Sequence, residues 1–299
     1  MEQAALIVNP FASAVEEEQL AEVERELRRS YELDVRLTER RGHATELAGD
    51  VAAKTVFVYG GDGLLNEVLN GIGRDVAVGV LAGGGTNVVA RSLGLPLDPV
   101  AAAETLRRGR PRRISLGSVN GRRFAFAGGI GFDAELIRRV DSLGRSREGR
   151  RPGDLAFAWQ AAKLLAGRRG SYEPALEIEG LGRAAFAFVA NSDPYTYAAG
   201  MPLHVAPEAR FELGLDLVAP RSVSGRMIPR LLGYMLRGRG QTEASDLIYA
   251  HDLDRLRIRC DRPLPLQVDG EDLGDVEEAT FDAERGAATL LEPPGTLPA

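Results

Sequence analysis

The stretch from Thr55 to Ile72 constrains the fold more than any other part of the sequence. It opens with five uncharged residues that are β-branched or aromatic, as in a strand buried on both faces. From Leu64 onward apolar residues recur at helical spacing, with polar residues on the opposite side. Gly60-Gly61-Asp62-Gly63, the first glycine loop, lies between the two patterns. The stretch therefore predicts a strand, a glycine loop and a helix.

The first glycine loop has the chemistry of an anion site. Its glycines let the backbone approach a ligand closely, and the N–H groups at a helix N-terminus attract phosphate. Asp62 would repel a bare phosphate, so we infer that a divalent cation accompanies it. We therefore predict a phosphate compound with Mg²⁺, with Asp62 facing the metal directly or through water. A tight turn without a ligand is the alternative.

The first hundred or so residues continue this alternation of strand and helix. Predicted strands lie at residues 5–8, 33–37, 55–59 and 76–81. The rhythm implies a parallel sheet covered by helices, with ligand-binding loops at the carboxyl ends of the strands. Asn9-Pro10, Thr38 and a second glycine loop, Gly83 to Asn87, follow three of these strands. We predict nucleotide contacts there, and structural turns are the alternative.

Beyond Pro111 the pattern changes to short β-type segments separated by turn residues. Helices are predicted within this region at residues 154–165 and 227–236. We expect an α/β nucleotide-binding domain with a parallel sheet over residues 1–115, followed by a β-rich, antiparallel, sandwich-like domain over residues 116–282. The C-terminal tail, about residues 283–299, is expected to pack back on the first domain, with a loose end.

Composition narrows the class of protein. The net charge of −6 argues against general nucleic-acid binding. The single cysteine, Cys260, excludes an internal disulfide and fits a reducing compartment. The three histidines show no zinc-ligand spacing, and no stretch has the pattern of a signal peptide or a transmembrane segment. We expect an ordinary soluble protein of the cytoplasm.

Two glycine loops after two strands of one sheet are more specific than either loop alone. Neither contains the lysine of a P-loop, and Asn66 stands where a dinucleotide-binding loop has its third glycine. Oxidoreductases are disfavoured accordingly. The phosphates of a ligand would be held by backbone N–H groups, by Thr86 and Asn87, by a metal and by Arg91.

Asp269-Gly270-Glu271, late in the chain, carries two carboxylates across a glycine. Such a pair could deprotonate a hydroxyl nucleophile if burial or a metal tunes its pKa. A type I′ or II turn on a hairpin with solvated acids is the alternative, and the segment alone favours the turn.

Together these motifs resemble the diacylglycerol kinase catalytic family, which includes bacterial lipid kinases and sphingosine kinases. The motifs that carry the resemblance are Gly60-Gly61-Asp62-Gly63 with Asn66 and Glu67, Gly84-Gly85-Thr86-Asn87-Val88-Val89-Ala90-Arg91, Asn9-Pro10 and Asp269-Gly270-Glu271. Two further stretches resemble the family's second domain, Gly129-Ile130-Gly131-Phe132-Asp133-Ala134 and Ala206-Pro207-Glu208-Ala209. The resemblance therefore covers nearly the whole chain.

The resemblance implies a kinase of phospholipid biosynthesis that uses ATP and Mg²⁺ to phosphorylate a lipid hydroxyl such as that of diacylglycerol, in a cleft between two domains. Glu271 would be the general base, with Asp269 beside it and Asp62 toward the metal, and Asp216 is a further metal candidate. The implied nucleotide contacts are Asn9, Pro10, Ser13, Thr38, Gly60, Gly61, Asp62, Gly63, Leu64, Asn66, Glu67, Gly84, Gly85, Thr86 and Asn87. On this basis Asp62→Asn and Glu271→Gln would each lower turnover by orders of magnitude and leave the fold intact.

Three residues depart from the family's usual pattern. Leu64 and Gly85 stand where the two glycine loops usually carry threonine. In Glu212-Leu213-Gly214, Leu213 replaces the second acid of a pair that usually precedes a glycine near a structural Mg²⁺. They leave open a catalytically weakened lipid-binding or regulatory relative. An NAD kinase-like enzyme, which shares a Gly-Gly-Asp-Gly loop, is the other alternative, but Arg91 and Asp269-Gly270-Glu271 favour a lipid kinase.

Two arginine-rich segments bear on the lipid partner. Met227–Arg237 mixes apolar and arginine residues as an interfacial helix does, and a buried helix with snorkelling arginines is the alternative. Arg138–Arg151 is expected to be a solvated loop, with contact to anionic headgroups as the alternative. We predict a lipid substrate met at a membrane surface, with no nucleic acid and no transmembrane segment. The protein would be cytoplasmic or peripheral at the inner membrane face, and a homodimer is left open.

Overall fold

The chain consists of two units. The computed structural model describes residues 1–144, 154–167 and 171–295, without the side chains of 154–158 and 166. The first unit comprises residues 1–114 and 286–295, and the second comprises the described residues from 115 to 285. Much of the arginine-rich segment at 138–151 lies outside the described residues.

The first unit is a parallel sheet with helices between its strands. Its elements are β1 (Glu2–Val8), α1 (Glu17–Leu27), β2 (Tyr31–Leu37), α2 (His43–Gly49), β3 (Thr55–Gly60), α3 (Asp62–Gly71), β4 (Ala77–Ala82), α4 (Val88–Ser92) and α5 (Pro99–Leu106). The strands are parallel in the order β4-β3-β1-β2. β3 is buried along its whole length, as its uncharged sequence predicts.

The carboxyl ends of the four strands are level with one another. Val8 is in register with both Tyr59 and Leu37, and Gly60 is in register with Ala82. The polar and glycine residues that follow therefore share one edge of the sheet: Asn9, Thr38, Gly61 and Gly83. A segment late in the chain, from residue 286, completes this unit, because Thr289 and Leu290 pair in parallel with β4.

The second unit is rich in antiparallel strands. Its elements are β5 (Arg110–Val119), which begins in the first unit, β6 (Arg122–Phe124), β7 (Ala127–Ile130), α6 (Phe132–Ser142), α7 (Asp154–Gly167), β8 (Leu176–Ile178), β9 (Gly182–Ala184), β10 (Ala187–Ala190), β11 (Thr196–Ala198), β12 (Met201–Leu203), β13 (Leu215–Pro220), α8 (Ile228–Arg237), β14 (Leu247–Leu253), β15 (Arg255–Val268) and β16 (Glu271–Glu292), which ends in the first unit. Its main ladder runs β14-β13-β10-β7-β15-β16. The predicted fold class, a parallel α/β part and a β-rich part, is confirmed.

Strand β15 is longer than the short β-type segments that the sequence predicts beyond Pro111. It runs from Arg255 to Val268 as one strand, with a register shift against β16 between Arg259 and Leu264. Pro263 lies within that shift, where a proline without an N–H group disturbs the ladder least. The core of this unit contains Phe124 and Phe281, packed edge to face with ring centroids 6.2 Å apart.

Candidate functional site

The first glycine loop leads directly from β3 into α3. Gly61 is the N-cap of α3 and has an extended conformation. The first N–H groups of a helix have no partner within the helix, so this end carries partial positive charge. Gly63 is exposed, and a Cβ added there would meet no atom within 4 Å. The loop therefore presents an open helix N-terminus at the shared edge of the sheet.

The two glycine loops pack against each other backbone to backbone. A Cβ added to Gly84 would lie 2.6 Å from the Cα of Gly61, and one added to Gly83 would lie 2.9 Å from the Cα of Gly60. The N–H of Gly83 donates to the carbonyl oxygen of Gly60 at 2.8 Å. Gly83 and Gly84 are thus required because the two loops approach each other closely. The sequence of either loop alone does not indicate this contact.

Asp62 joins the two loops through its side chain. Its carboxylate oxygens accept hydrogen bonds from the N–H groups of Val88 (3.0 Å) and Val89 (3.3 Å), at the start of α4. Burial raises the pKa of Asp62, and these backbone hydrogen bonds partly oppose the rise. The aspartate in an anion loop therefore has a structural partner, the N-terminus of the neighbouring helix.

This contact changes what Asp62→Asn should do. Because the amide group places a donor against one of the two N–H groups, we expect the free energy of unfolding to fall by about 1–3 kcal/mol, rather than the fold to be unaffected. Urea unfolding measures the loss. Asp34→Asn is the control, since Asp34 makes an exposed pair with Arg36 that should contribute little. Equal stability of the two variants would contradict the capping role.

Leu64 faces the interior. It is buried, and its Cδ2 lies 2.6 Å from where a Cβ on Gly60 would stand. The same Cβ position on Gly60 is 3.5 Å from the Cβ of Asn9. Leu64 therefore packs over the end of β3, where an apolar residue costs nothing in hydrogen bonding.

Glu67 is directed away from the glycine loops. Its carboxylate accepts from the N–H groups of Gly42 (2.9 Å) and Ala44 (3.2 Å) at the start of α2. Asn66, on the same helix, is buried and accepts from the side chain of Asn70. Both residues organise helices behind the loop, and a contact of either with nucleotide stays a prediction.

The loop after β1 completes this edge of the sheet. Asn9 Oδ1 accepts from the N–H of Phe11 at 3.0 Å, and Ala14 N–H donates to Gly83 O at 3.1 Å. Pro10 and Ser13 are exposed, whereas Thr38 is buried. The structure thus brings the loop after β1 against the second glycine loop.

The second glycine loop is closed by Asn87. Asn87 has a left-handed backbone with φ +52°. Its side chain accepts from Gly84 N–H (2.9 Å) and donates to Gly84 O (2.7 Å), while Arg91 Nε donates to Thr86 O at 2.9 Å. Gly85 is exposed with open space around it, so the tip of this loop is accessible.

In the second unit, Asp269 and Gly270 form the two-residue turn between β15 and β16. Both have positive φ, +47° and +78°, and Val268 pairs with Glu271, as in a type I′ hairpin. The turn interpretation is right about the backbone but wrong in expecting both acids to be solvated. Asp269 is buried and accepts from three backbone N–H groups, those of Ala125 (2.6 Å), Phe126 (3.0 Å) and Ala127 (3.1 Å).

Glu271 stands beside this anchored turn. It is 21% exposed, and its Oε2 lies 3.2 Å from Nη2 of Arg122. A carboxylate on a rigid hairpin with a guanidinium partner is held in place and still reaches solvent. Glu271 is therefore better placed than Asp269 to exchange a proton, because the oxygens of Asp269 accept hydrogen bonds from backbone N–H groups.

A buried polar cluster lies behind the turn. Asp133 Oδ2 accepts from Tyr195 Oη (2.7 Å) and Gln267 Nε2 (2.8 Å), and Gln267 Oε1 accepts from Gly270 N–H (3.0 Å). Burial raises the pKa of both Asp133 and Tyr195. Sequence reasoning missed Tyr195 and Gln267, because no motif links residues so far apart in the chain.

Asp216, the further metal candidate, is surrounded by protein donors. It is fully buried and accepts from Tyr249 Oη (3.0 Å) and Asp252 N–H (3.1 Å), with His251 Nδ1 at 2.8 Å. Among the described residues, no group of three His, Cys, Asp or Glu side chains is arranged to hold a metal ion. A metal at Asp216 or Asp62 therefore stays a prediction.

Comparison with known proteins places one segment of the chain in a known family. Residues 3–119, which contain both glycine loops, match the diacylglycerol kinase catalytic domain. This segment belongs to the diacylglycerol kinase catalytic family. The resemblance predicted from the motifs is confirmed.

Relatives align with the kinase over nearly its whole length. A diacylglycerol kinase of Bacillus subtilis is 28% identical over 91% of this chain and 90% of its own. A YegS-like lipid kinase of Pseudomonas aeruginosa is 27% identical over 97% of this chain and 95% of its own. The chain is a kinase, as predicted.

Solved structures bear on the fold of the kinase. A diacylglycerol kinase of Bacillus anthracis superposes with a TM-score of 0.73 at 18% identity, over 99% of this chain and 98% of its own. An NAD kinase of Archaeoglobus fulgidus, solved with ATP, gives a TM-score of 0.52 at 13% identity, over 98% of this chain and 94% of its own. Identities this low support the shared fold alone.

Proposed function

We propose that this kinase transfers the γ-phosphate of ATP to the hydroxyl of a lipid such as diacylglycerol. The observation that carries the proposal is the pair of interlocked glycine loops at the carboxyl edge of a parallel sheet, with the open N-terminus of α3 between them. The names of the relatives, a diacylglycerol kinase and a lipid kinase, support a lipid acceptor.

The nucleotide would be bound largely by backbone. We assign its phosphates to the N–H groups at the start of α3 and to the accessible tip of the second loop around Gly85 and Thr86. The segment Asn9 to Ser13 would contact the rest of the nucleotide at the same edge. Since backbone N–H groups need no side chain, the absence of a P-loop lysine is no obstacle to this mode of binding.

The donor set fits a Mg²⁺ held through the nucleotide. The Asp62 carboxylate accepts backbone hydrogen bonds from Val88 and Val89, and an ionised carboxylate can accept several bonds at each oxygen. Mg²⁺ usually keeps several waters and binds one or two carboxylates together with phosphates. When bound, the ion would neutralise charge on the phosphates. Asp62 would contact it through water.

Glu271 would accept the proton of the lipid hydroxyl. The anchored turn and the contact with Arg122 fix its position. Asp269 would act as a positioning residue, because its oxygens hold the segment at residues 125–127. Positioning and charge neutralisation, rather than covalent chemistry, would supply most of the rate.

An acceptor panel tests the proposal. Purified protein with Mg-ATP is incubated with diacylglycerol, sphingoid bases, other lipid alcohols and NAD, and labelled products are resolved. We expect transfer to a lipid alcohol. Phosphorylation of NAD alone would overturn the lipid assignment in favour of an NAD kinase. Lipid binding without any transfer would support the catalytically weakened relative.

The lipid acceptor would be met at a membrane surface from the cytoplasmic side. No helix among the residues described is long and apolar enough to cross a bilayer. In this proposal the enzyme reaches its acceptor by peripheral contact with the membrane.

A further inference from the structure

Helix α8 presents apolar side chains to solvent. No residue of this ten-residue helix is buried. Leu232 and Leu236, one helical turn apart, are 51% and 55% exposed. Pro229 lies on the same side, three residues before Leu232, and is exposed too. An exposed leucine stripe on an ordered helix calls for an explanation.

The helix is nevertheless held firmly on its other side. Ile228 and Leu231 pack against a small apolar cluster of the second unit that includes Phe186. The carbonyl oxygen of Met235 accepts from His204 N–H at 2.7 Å. The inner face thus fixes the orientation of the helix, and the exposed stripe is a stable feature rather than a frayed end.

Positive charge accompanies the leucine stripe. Between residues 221 and 242 there are five arginines and no acidic residue, in a protein of net charge −6. Arg226 and Arg237 are exposed, and the guanidinium of Arg230, which pairs with Asp246, lies 5.7 Å from the ring centroid of Tyr234. The leucine stripe is therefore flanked by positive charge.

We propose that α8 docks on an anionic lipid surface, with Leu232 and Leu236 inserted at the boundary of headgroups and acyl chains. Arg226 and Arg237 face lipid phosphates in this arrangement. The inference rests on the proposed function, in which the acceptor lies in a membrane, and it names the surface that makes contact. The alternative interpretation of this segment, a buried helix with snorkelling arginines, is wrong, because no residue of α8 is buried.

The size of the patch favours a bilayer over a protein partner. A helix of ten residues is about 15 Å long, and two leucines supply far less than the roughly 800 Å² per partner that a stable protein interface buries. A membrane needs no complementary pocket, because each inserted apolar side chain and each arginine near anionic lipid contributes separately.

Sedimentation with vesicles tests the docking surface. The full-length protein is mixed with vesicles of phosphatidylcholine, with or without phosphatidylglycerol, and no nucleotide is present. We expect the wild type to bind the anionic vesicles. The double variant Leu232→Gln/Leu236→Gln should bind them with an affinity about tenfold lower, or weaker still. In the double variant Arg226→Gln/Arg237→Gln the affinity for anionic vesicles should fall about fivefold per arginine, and the affinity for phosphatidylcholine vesicles should not change.

Matched controls lie in the first unit. Leu97→Gln, at a leucine 42% exposed, and Arg74→Gln, at an arginine side chain 72% exposed, should bind vesicles like wild type. Wild-type binding by Leu232→Gln/Leu236→Gln, or no binding of wild type to anionic vesicles, overturns the proposal. The proposal is also overturned if sedimentation equilibrium shows that the leucine variant no longer forms a dimer present in the wild type while its vesicle binding is unchanged.

The experiments distinguish failure of the proposed lipid kinase function from failure of the docking surface. If the protein binds vesicles through α8 but phosphorylates no lipid, the docking surface is supported. The proposed transfer of phosphate to a lipid is then overturned. If wild type phosphorylates lipid, Leu232→Gln/Leu236→Gln should keep its rate on a monomeric short-chain acceptor and lose rate on acceptor in vesicles. Equal loss on both acceptors overturns the docking role.

Discussion

Glu271→Gln is expected to lower turnover by about a hundredfold or more, because general base catalysis typically contributes 10²–10⁴-fold. The substitution keeps the shape and a hydrogen bond acceptor for Arg122, while the capacity to take a proton is lost. Initial rates at saturating Mg-ATP and lipid acceptor measure the effect. Thermal unfolding should show a change in Tm of no more than a few degrees, since the side chain is partly exposed.

Glu284→Gln is the matched control for this variant. Glu284 lies on the same strand, β16, and likewise pairs with an arginine, Arg123. Its loss should leave turnover near the wild-type value. Asp269 is unsuitable as a comparison, because its substitution would also release three backbone N–H groups. Near-normal activity of Glu271→Gln would show that another group, or none, takes the proton.

The first unit was largely predictable because its signals are local. The uncharged strand from Thr55 and the glycine loop after it determine secondary structure within a few residues, and parallel strands place their ends at one edge. The grouping of Asn9, Thr38 and the two loops follows from that rule. Helix α5 of this unit, like helix α6 of the second unit, was not predicted, since its pattern follows strong turn signals.

Long-range contacts explain what the sequence could not reveal. The burial of Asp269 depends on N–H groups more than 140 residues away in the chain. Likewise Glu67 faces the start of α2, and helical spacing alone does not show which neighbour a polar side chain meets. Leu64, a departure from the family pattern, is accounted for by its place over Gly60.

Asp62 meets a structural requirement, and in the proposed site it would meet a chemical requirement as well. The sequence pointed to a cation, because a carboxylate in an anion loop needs compensation. The structure supplies part of that compensation from the backbone of Val88 and Val89. A carboxylate held in this way is already oriented before any ligand arrives, which lowers the cost of ordering it on binding.

Gly84→Ala is expected to disrupt the paired loops, since its Cβ would stand 2.6 Å from the Cα of Gly61, where only backbone could yield. We expect a loss of about 1–3 kcal/mol in the free energy of unfolding, in the range found for overpacking, and ATP affinity at least tenfold weaker as the loops separate. Urea unfolding and calorimetric titration with Mg-ATP measure the two effects.

Gly63→Ala separates the packing of the loops from the approach of a ligand. Its Cβ would enter open space on a helical residue, so the fold should be unchanged or more stable by up to about 1 kcal/mol. If phosphates approach the backbone there, ATP binding should still weaken. Wild-type ATP affinity in Gly63→Ala would place the phosphates elsewhere, and wild-type stability in Gly84→Ala would show that the loops can move apart freely.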